Sequence, residues 1–245
     1  NRLFMSIAEQ MGYSLVNTAY SVNIKERLDF SCALFDEDGE LVANAPHIPV
    51  HLGSMSESVL SWLDRNDEDI SPGDVFLLNS PYEGGTHLPD VTVITPVFSG
   101  DGELLFFTAS RGHHADIGGM TPGSMPPWSA HIDEEGAVAS GFKIVERGRF
   151  KEKRVRKWLT GCRYPARDPE KNMADLKAQI AANEKGSREL HSIMERYGLE
   201  TVKAYMGHVR DNAEESVRRV IGVLKDGSSR IEMDNGAVIE VRVSI

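Results

Sequence analysis

Cysteine is scarce in this chain. Only Cys32 and Cys162 occur in 245 residues, far apart and in no Cys-x-x-Cys pair. That argues against a disulfide framework and a thiolate zinc site, and it suits a reducing cytoplasm. Positive charge is short as well: 27 Lys and Arg face 37 Asp and Glu, a net charge of −10, whereas a nucleic-acid partner calls for a basic stripe. The apolar runs are strand-length, and the opening Asn1-Arg2-Leu3-Phe4-Met5 lacks the organisation of a signal peptide, so no membrane role is expected. Neither Gly-x-x-x-x-Gly-Lys-Ser/Thr nor Gly-x-Gly-x-x-Gly is found, and any ATP would be bound elsewhere. Activated nucleophiles are also missing: there is no Gly-x-Ser-x-Gly elbow, Ser110 and Ser124 lack a partner in sequence, and Cys32 lies in an apolar strand, where a thiol is inert.

What remains is ordinary globular material, 40% hydrophobic and 26% charged, with no Pro/Gly/Ser linker to divide it, so a single domain is expected. The chain starts inside a helical pattern and stops on an apolar alternation, as a portion of something longer would. Leu3, Phe4, Ile7, Met11, Leu15 and Val16 recur at helical spacing over residues 2–18. Phe30 to Phe35 and Leu41 to Ala43 flank Asp36-Glu37-Asp38-Gly39, which reads as a hairpin. A helix is expected over 53–64, with Ser54 as N-cap and Glu57 closing a capping box. Strands follow at 74–78, 91–98 and 103–109, the last two joined by Ser99-Gly100-Asp101-Gly102. Residues 118–130, rich in Gly, Pro, Met and Ser, predict an ordered loop near the site.

Farther on, Asp168-Pro169 starts a long helix that stops at Gly198. A second runs from about 200 to 224, with Val202, Met206, Val209, Ala213, Val217, Val220 and Leu224 on one face and Gly227 as its left-handed cap. Asp234-Asn235-Gly236 marks a final hairpin. The expectation is an α+β fold with mixed, largely antiparallel sheets: a β-rich region over 1–165, a helical hairpin over 166–227 and a β-hairpin over 228–245.

Chemistry concentrates in two glycine-bent loops. Asn79-Ser80-Pro81-Tyr82-Glu83-Gly84-Gly85-Thr86-His87-Leu88-Pro89-Asp90 is answered by Arg111-Gly112-His113-His114-Ala115-Asp116-Ile117-Gly118-Gly119. A neutral imidazole and a carboxylate suit a first-row divalent metal such as Mn, Fe, Co or Zn. His-x-x-Asp at 87–90 gains weight from a second imidazole beyond the next hairpin. Side chains alternate along an extended segment, so at most one of His113 and His114 should ligate, and His113 is the choice. Gly84, Gly85 and Thr86 could cradle an anion, although glycines more often simply allow a sharp turn. Asn23 to Asp36 places Glu26 and Asp29, either of which could supply an oxygen ligand. His47 and His51 either line the same cleft or cap the turn around Pro46 and Pro49, and the turn is the preferred reading for both.

Three of these segments, Asn23 to Asp36, Pro81 to Asp90 and Ser110 to Pro127, together with Gly207-His208-Val209-Arg210-Asp211-Asn212-Ala213-Glu214, resemble the hydantoinase B / oxoprolinase family along essentially the whole chain. Members are longer. The resemblance implies a B-type subunit of an ATP-dependent enzyme that opens a cyclic amide, a lactam or hydantoin, together with a hydantoinase A-like subunit that binds ATP; the carboxylase branch joins phosphorylated bicarbonate to an enol instead. It also implies a divalent metal (Mn, Zn or Fe) whose ligands fall on Glu26, His87, Asp90 and His113, with Asp29 and His114 as chemically competent neighbours. Arg111, His114 and Asp116 would take catalytic roles, Arg111 holding an anionic intermediate with the Gly84 and Gly85 amides. A non-catalytic scaffold for the ATP-binding subunit and a metallohydrolase needing no ATP are the readings from other classes.

Overall fold

The computed structural model describes residues 2–44, 48–66 and 69–245, the side chain of Leu52 excepted. His47 lies outside these residues. In chain order the elements are α1 (Arg2–Thr18), α2 (Val22–Lys25), β1 (Phe30–Asp36), β2 (Leu41–Asn44), α3 (Pro49–Arg65), β3 (Val75–Leu78), β4 (Asp90–Phe98), β5 (Leu104–His113), β6 (Phe142–Glu146), β7 (Arg149–Phe150), α4 (Glu152–Thr160), α5 (Pro169–Tyr197), α6 (Leu199–Ile221), β8 (Gly227–Glu232) and β9 (Val238–Val243). The first seven strands form one sheet in the order β2-β1-β5-β4-β3-β6-β7, and its neighbours pair antiparallel. The fold is α+β.

Period-two alternation divides the sheet between two helical layers. Phe30, Cys32, Leu34 and Phe106 pack with α1, α5 and α6, and Val91 and Val93 with α4 and α5. Ala33, Phe35, Ile94, Phe107 and Ala109 face Met55, Val59 and Trp62 of α3. Each such large apolar side chain contributes roughly 1.5–3 kcal/mol on burial. Gly186 lets α1 cross close to α5, since a Cβ there would stand 2.5 Å from Met11 Sδ.

Some boundaries differ from the sequence expectation. α3 begins at Pro49 with no side-chain cap; Ser54 lies inside it, donating to Val50 O at 2.7 Å, because proline at the first helical position starts the helix earlier. β5 runs on to His113. Asp168 does cap α5, accepting from Lys171 N at 3.2 Å. α6 ends at Ile221, and Gly227 opens β8 rather than capping a helix. Val202 and Met206 of α6 are buried, whereas Val217 and Val220 are exposed. β6, β7 and α4 were not anticipated; their short, charge-rich segments carry little periodicity. No helix among the described residues is long and apolar enough to cross a membrane.

Candidate metal centre

The site forms at one end of the sheet, on the α3 face. Antiparallel register sets Asp90, the first residue of β4, opposite His113, the last of β5. The connection into β4 is fixed from within. Asn79 donates from Nδ2 to Leu88 O and Ala137 O and accepts from Ala139 N. The 3-10 turn Pro81–Glu83 ends at Gly84, whose φ is +76°. A Cβ at Gly84 would fall 2.3 Å from Ser58 N on α3, so only glycine lets this loop lie on the helix. Asp90 N then donates to His87 O at 2.9 Å, a turn that folds the His87 ring back toward the Asp90 carboxylate.

Asp90 is fully buried and gathers four partners. His113 Nδ1 is 2.8 Å from Oδ1; at Oδ2, His51 Nε2 stands at 3.3 Å and the Thr86 hydroxyl donates. His87 Nδ1 lies 2.9 Å from Oδ2, near enough for the carboxylate to raise the imidazole pKa but without the alignment of a hydrogen bond. That nitrogen is buried and has no hydrogen-bond partner. Burial by itself disfavours the Asp90 charge, yet the hydrogen bonds from His113, His51 and Thr86, with the His87 imidazole beside them, outweigh it and hold the carboxyl well below the ordinary carboxylate range.

Ligand atoms of His87, Asp90 and His113 all lie within 4.8 Å of one another. Two imidazoles and one carboxylate suit Mn, Fe, Co or Zn. The orphaned His87 nitrogen is itself a fit test, because a buried nitrogen facing an anion without donating to it is accounted for when a cation takes its lone pair. Asp29 stands close by: its Oδ2 is 3.9 Å from His113 Nδ1, and its carbonyl accepts from His113 N. The preceding Leu28 adopts φ +56°, a backbone conformation uncommon outside glycine, at the point where the chain turns into β1. Asp29, His51 and Asp90 form a second close group, and Glu26 belongs to neither. Glu26 is exposed at the end of α2.

The remaining candidates are placed differently from expectation. Arg111 is fully buried: Nε donates to Thr92 Oγ1 (2.8 Å), Nη1 to Ser54 Oγ (2.6 Å), and Nη2 to Ser58 Oγ (2.6 Å) and Gly84 O (3.2 Å). A guanidinium has five donor hydrogens, so little remains for a substrate; Arg111 straps the 80–86 loop onto α3 and β4. Burial draws its pKa down to about 10 and the nearby Asp90 charge opposes this, leaving it cationic at neutral pH. The Gly85 amide donates to Ser80 O at 3.0 Å and is likewise engaged. His114 points to the other face. Gln179 spends its amide hydrogens on Val91 O and Ser110 O, so its Oε1 accepts from His114 Nε2 at 3.0 Å, and Asn172 Nδ2 lies 3.1 Å from Nδ1. Burial lowers the His114 pKa, and the ring is held neutral. Asp116 binds Gly118 N, Gly123 N and Arg167, tying down the 118–130 loop. His51, read from sequence as a turn residue, instead sits in the first turn of α3 against Asp90; the signal available was Pro49, which starts that helix.

The whole chain, residues 1–245, matches the model of the hydantoinase B/oxoprolinase family. It is 49% identical to 5-oxoprolinase 1 of Arabidopsis thaliana over all of its length and 21% of that protein's. With the 5-oxoprolinase of Dictyostelium discoideum it shares 51% identity over 99% of this chain and 19% of the relative. It therefore spans about a fifth of the length of these relatives. The crystal structure of an ATP-dependent caprolactamase from Pseudomonas jessenii superimposes with a TM-score of 0.85 at 29% identity, covering 98% of this chain and 42% of that one.

Proposed function

Because the chain belongs to the hydantoinase B/oxoprolinase family, we propose that it forms the metal-holding part of an ATP-dependent enzyme opening a cyclic amide. ATP is consumed on a hydantoinase A-like partner, and His87, Asp90 and His113 hold a divalent metal. The observation carrying this reading is the buried, unbonded His87 Nδ1 beside the Asp90 carboxylate. Asp29, whose Oδ2 lies 3.9 Å from His113 Nδ1, is the additional oxygen donor in place of the exposed Glu26. The names of the relatives, 5-oxoprolinase and caprolactamase, support a lactam as substrate class.

A bound divalent ion at such a site polarises a carbonyl or phosphoryl oxygen, or activates water near neutral pH. The protein's own share is preorganisation. Asp90 is kept ionised inside the fold. Thr86 orients one of its oxygens, and Arg111, with Gly84 and Gly85, fixes the loop that carries His87. Holding Asp90 and His113 on the ends of paired strands keeps the site from relaxing when the partner delivers an activated substrate.

The test combines the chain with a hydantoinase A-like subunit, a divalent metal and a lactam such as 5-oxoproline, and follows ring opening with and without ATP. Opening only when ATP and both proteins are present supports the reading. Opening without ATP would make the chain an independent metallohydrolase. Opening by the partner alone would reduce it to a scaffold.

A further inference from the structure

We infer that His51 and Ser31 form a positioning relay for the metal ligand Asp90, an inference that rests on the metal reading above. Ser31 Oγ lies 3.0 Å from His51 Nδ1, and His51 Nε2 lies 3.3 Å from Asp90 Oδ2. All three side chains are about 99% buried or more, so water cannot substitute for any of them. Proton placement follows from chemistry. An ionised carboxylate only accepts, so the hydrogen is on Nε2 of His51; Nδ1 then accepts and the Ser31 hydroxyl donates.

The relay answers a problem posed by metal binding. Without metal, His113 Nδ1 hydrogen-bonds Asp90 Oδ1. If His113 were to ligate through Nδ1, that nitrogen would turn its lone pair on the metal and the bond to Asp90 would be given up. The donors left on the carboxylate are Thr86 and His51, both at Oδ2. They pin Oδ2 and leave Oδ1, on the His113 side, for a cation. His51 differs from those two histidines in having partners for both ring nitrogens already, which makes it an orienting group rather than a ligand. The three residues come from separate elements, with Ser31 on β1, His51 on α3 and Asp90 on β4, so the relay also couples the start of α3 to the end of the sheet. Partners of this kind around a metal's own ligands typically change affinity 10–100-fold when removed.

The experiment titrates the purified chain with Co2+ and records affinity and the visible d–d spectrum for the wild type, His51→Leu, His51→Gln and Ser31→Ala. His51→Leu is expected to weaken Co2+ binding about 10–100-fold and to alter the spectrum. Ser31→Ala should weaken it less. His51→Gln, whose amide N–H can replace Nε2–H, should restore most of the affinity and the wild-type spectrum. Thermal melts of the metal-free proteins run alongside. If affinity falls only in step with melting temperature, without rescue by Gln, His51 is merely structural and the relay is overturned; equal affinity and spectra in all four proteins overturn it as well. If His51→Leu does not fold, the ordering of wild type, Gln and Ser31→Ala decides. A wild type that binds no Co2+ would instead defeat the metal reading itself.

Discussion

His113 and His114 are neighbours at the end of β5, yet the two faces of the sheet treat them in opposite ways. On the α3 face His113 meets the buried Asp90 carboxylate and the His87 ring, and Asp90 in turn meets His51. On the α5 face His114 is closed between the amides of Gln179 and Asn172. The same residue type therefore stands beside a buried anion on one side and is locked as a neutral hydrogen-bonding group on the other. What separates them is the chemistry on each face. On the α3 side the ends of β4 and β5 carry Asp90 and Arg111 beside His87 of the β3–β4 loop, while on the other side α5 offers Asn172, Gln179 and Asn183, and the amides of Gln179 and Asn183 serve strand carbonyls.

Substitutions break this contrast in a graded order. Asp90→Ala should have the largest effect, abolishing metal uptake and removing charge-assisted hydrogen bonds worth about 1.5–3 kcal/mol each; metal analysis and urea unfolding would register both. Arg111→Met comes next. It takes away the donor that the buried Thr92 and Ser58 hydroxyl oxygens accept from and should cost about 2–4 kcal/mol in the same unfolding assay. The freed 80–86 loop should also weaken metal binding. Gly84→Ala, strained at φ +76° and driven into the α3 backbone, should cost about 1–3 kcal/mol, with a loss of metal affinity that outlasts any recovery of stability. His114→Leu sharpens the comparison from the quiet side: it leaves Gln179 Oε1 unpaired, for a loss of about 1–3 kcal/mol, while metal content stays at the wild-type level.

Much of this was legible where the signal is local. Asp168-Pro169, the turn at Ser99 to Gly102 and the helical spacing of α1 each specify an element within a few residues. The candidate ligands His87 and Asp90 were visible as a short motif, and the β4–β5 hairpin, once its turn is placed, carries the register that sets Asp90 against His113. The unread parts depend on distant partners. Ser54 has the composition of an N-cap but serves a guanidinium 57 residues away in sequence. His51 reaches Asp90 across 39 residues, and no periodicity reports such a contact. Arg111 reads as a free cation from sequence because only the folded interior shows that serine, threonine and carbonyl oxygens engage it.

The central claim is that the buried His87 nitrogen beside Asp90 waits for a metal rather than a proton. Metal content measured by plasma mass spectrometry, after loading with Mn2+ or Zn2+ and extensive dialysis, tests it most directly. About one equivalent per chain is predicted for the wild type, with nearly none in His87→Ala. Equal metal in both proteins, or none in the wild type, would contradict it.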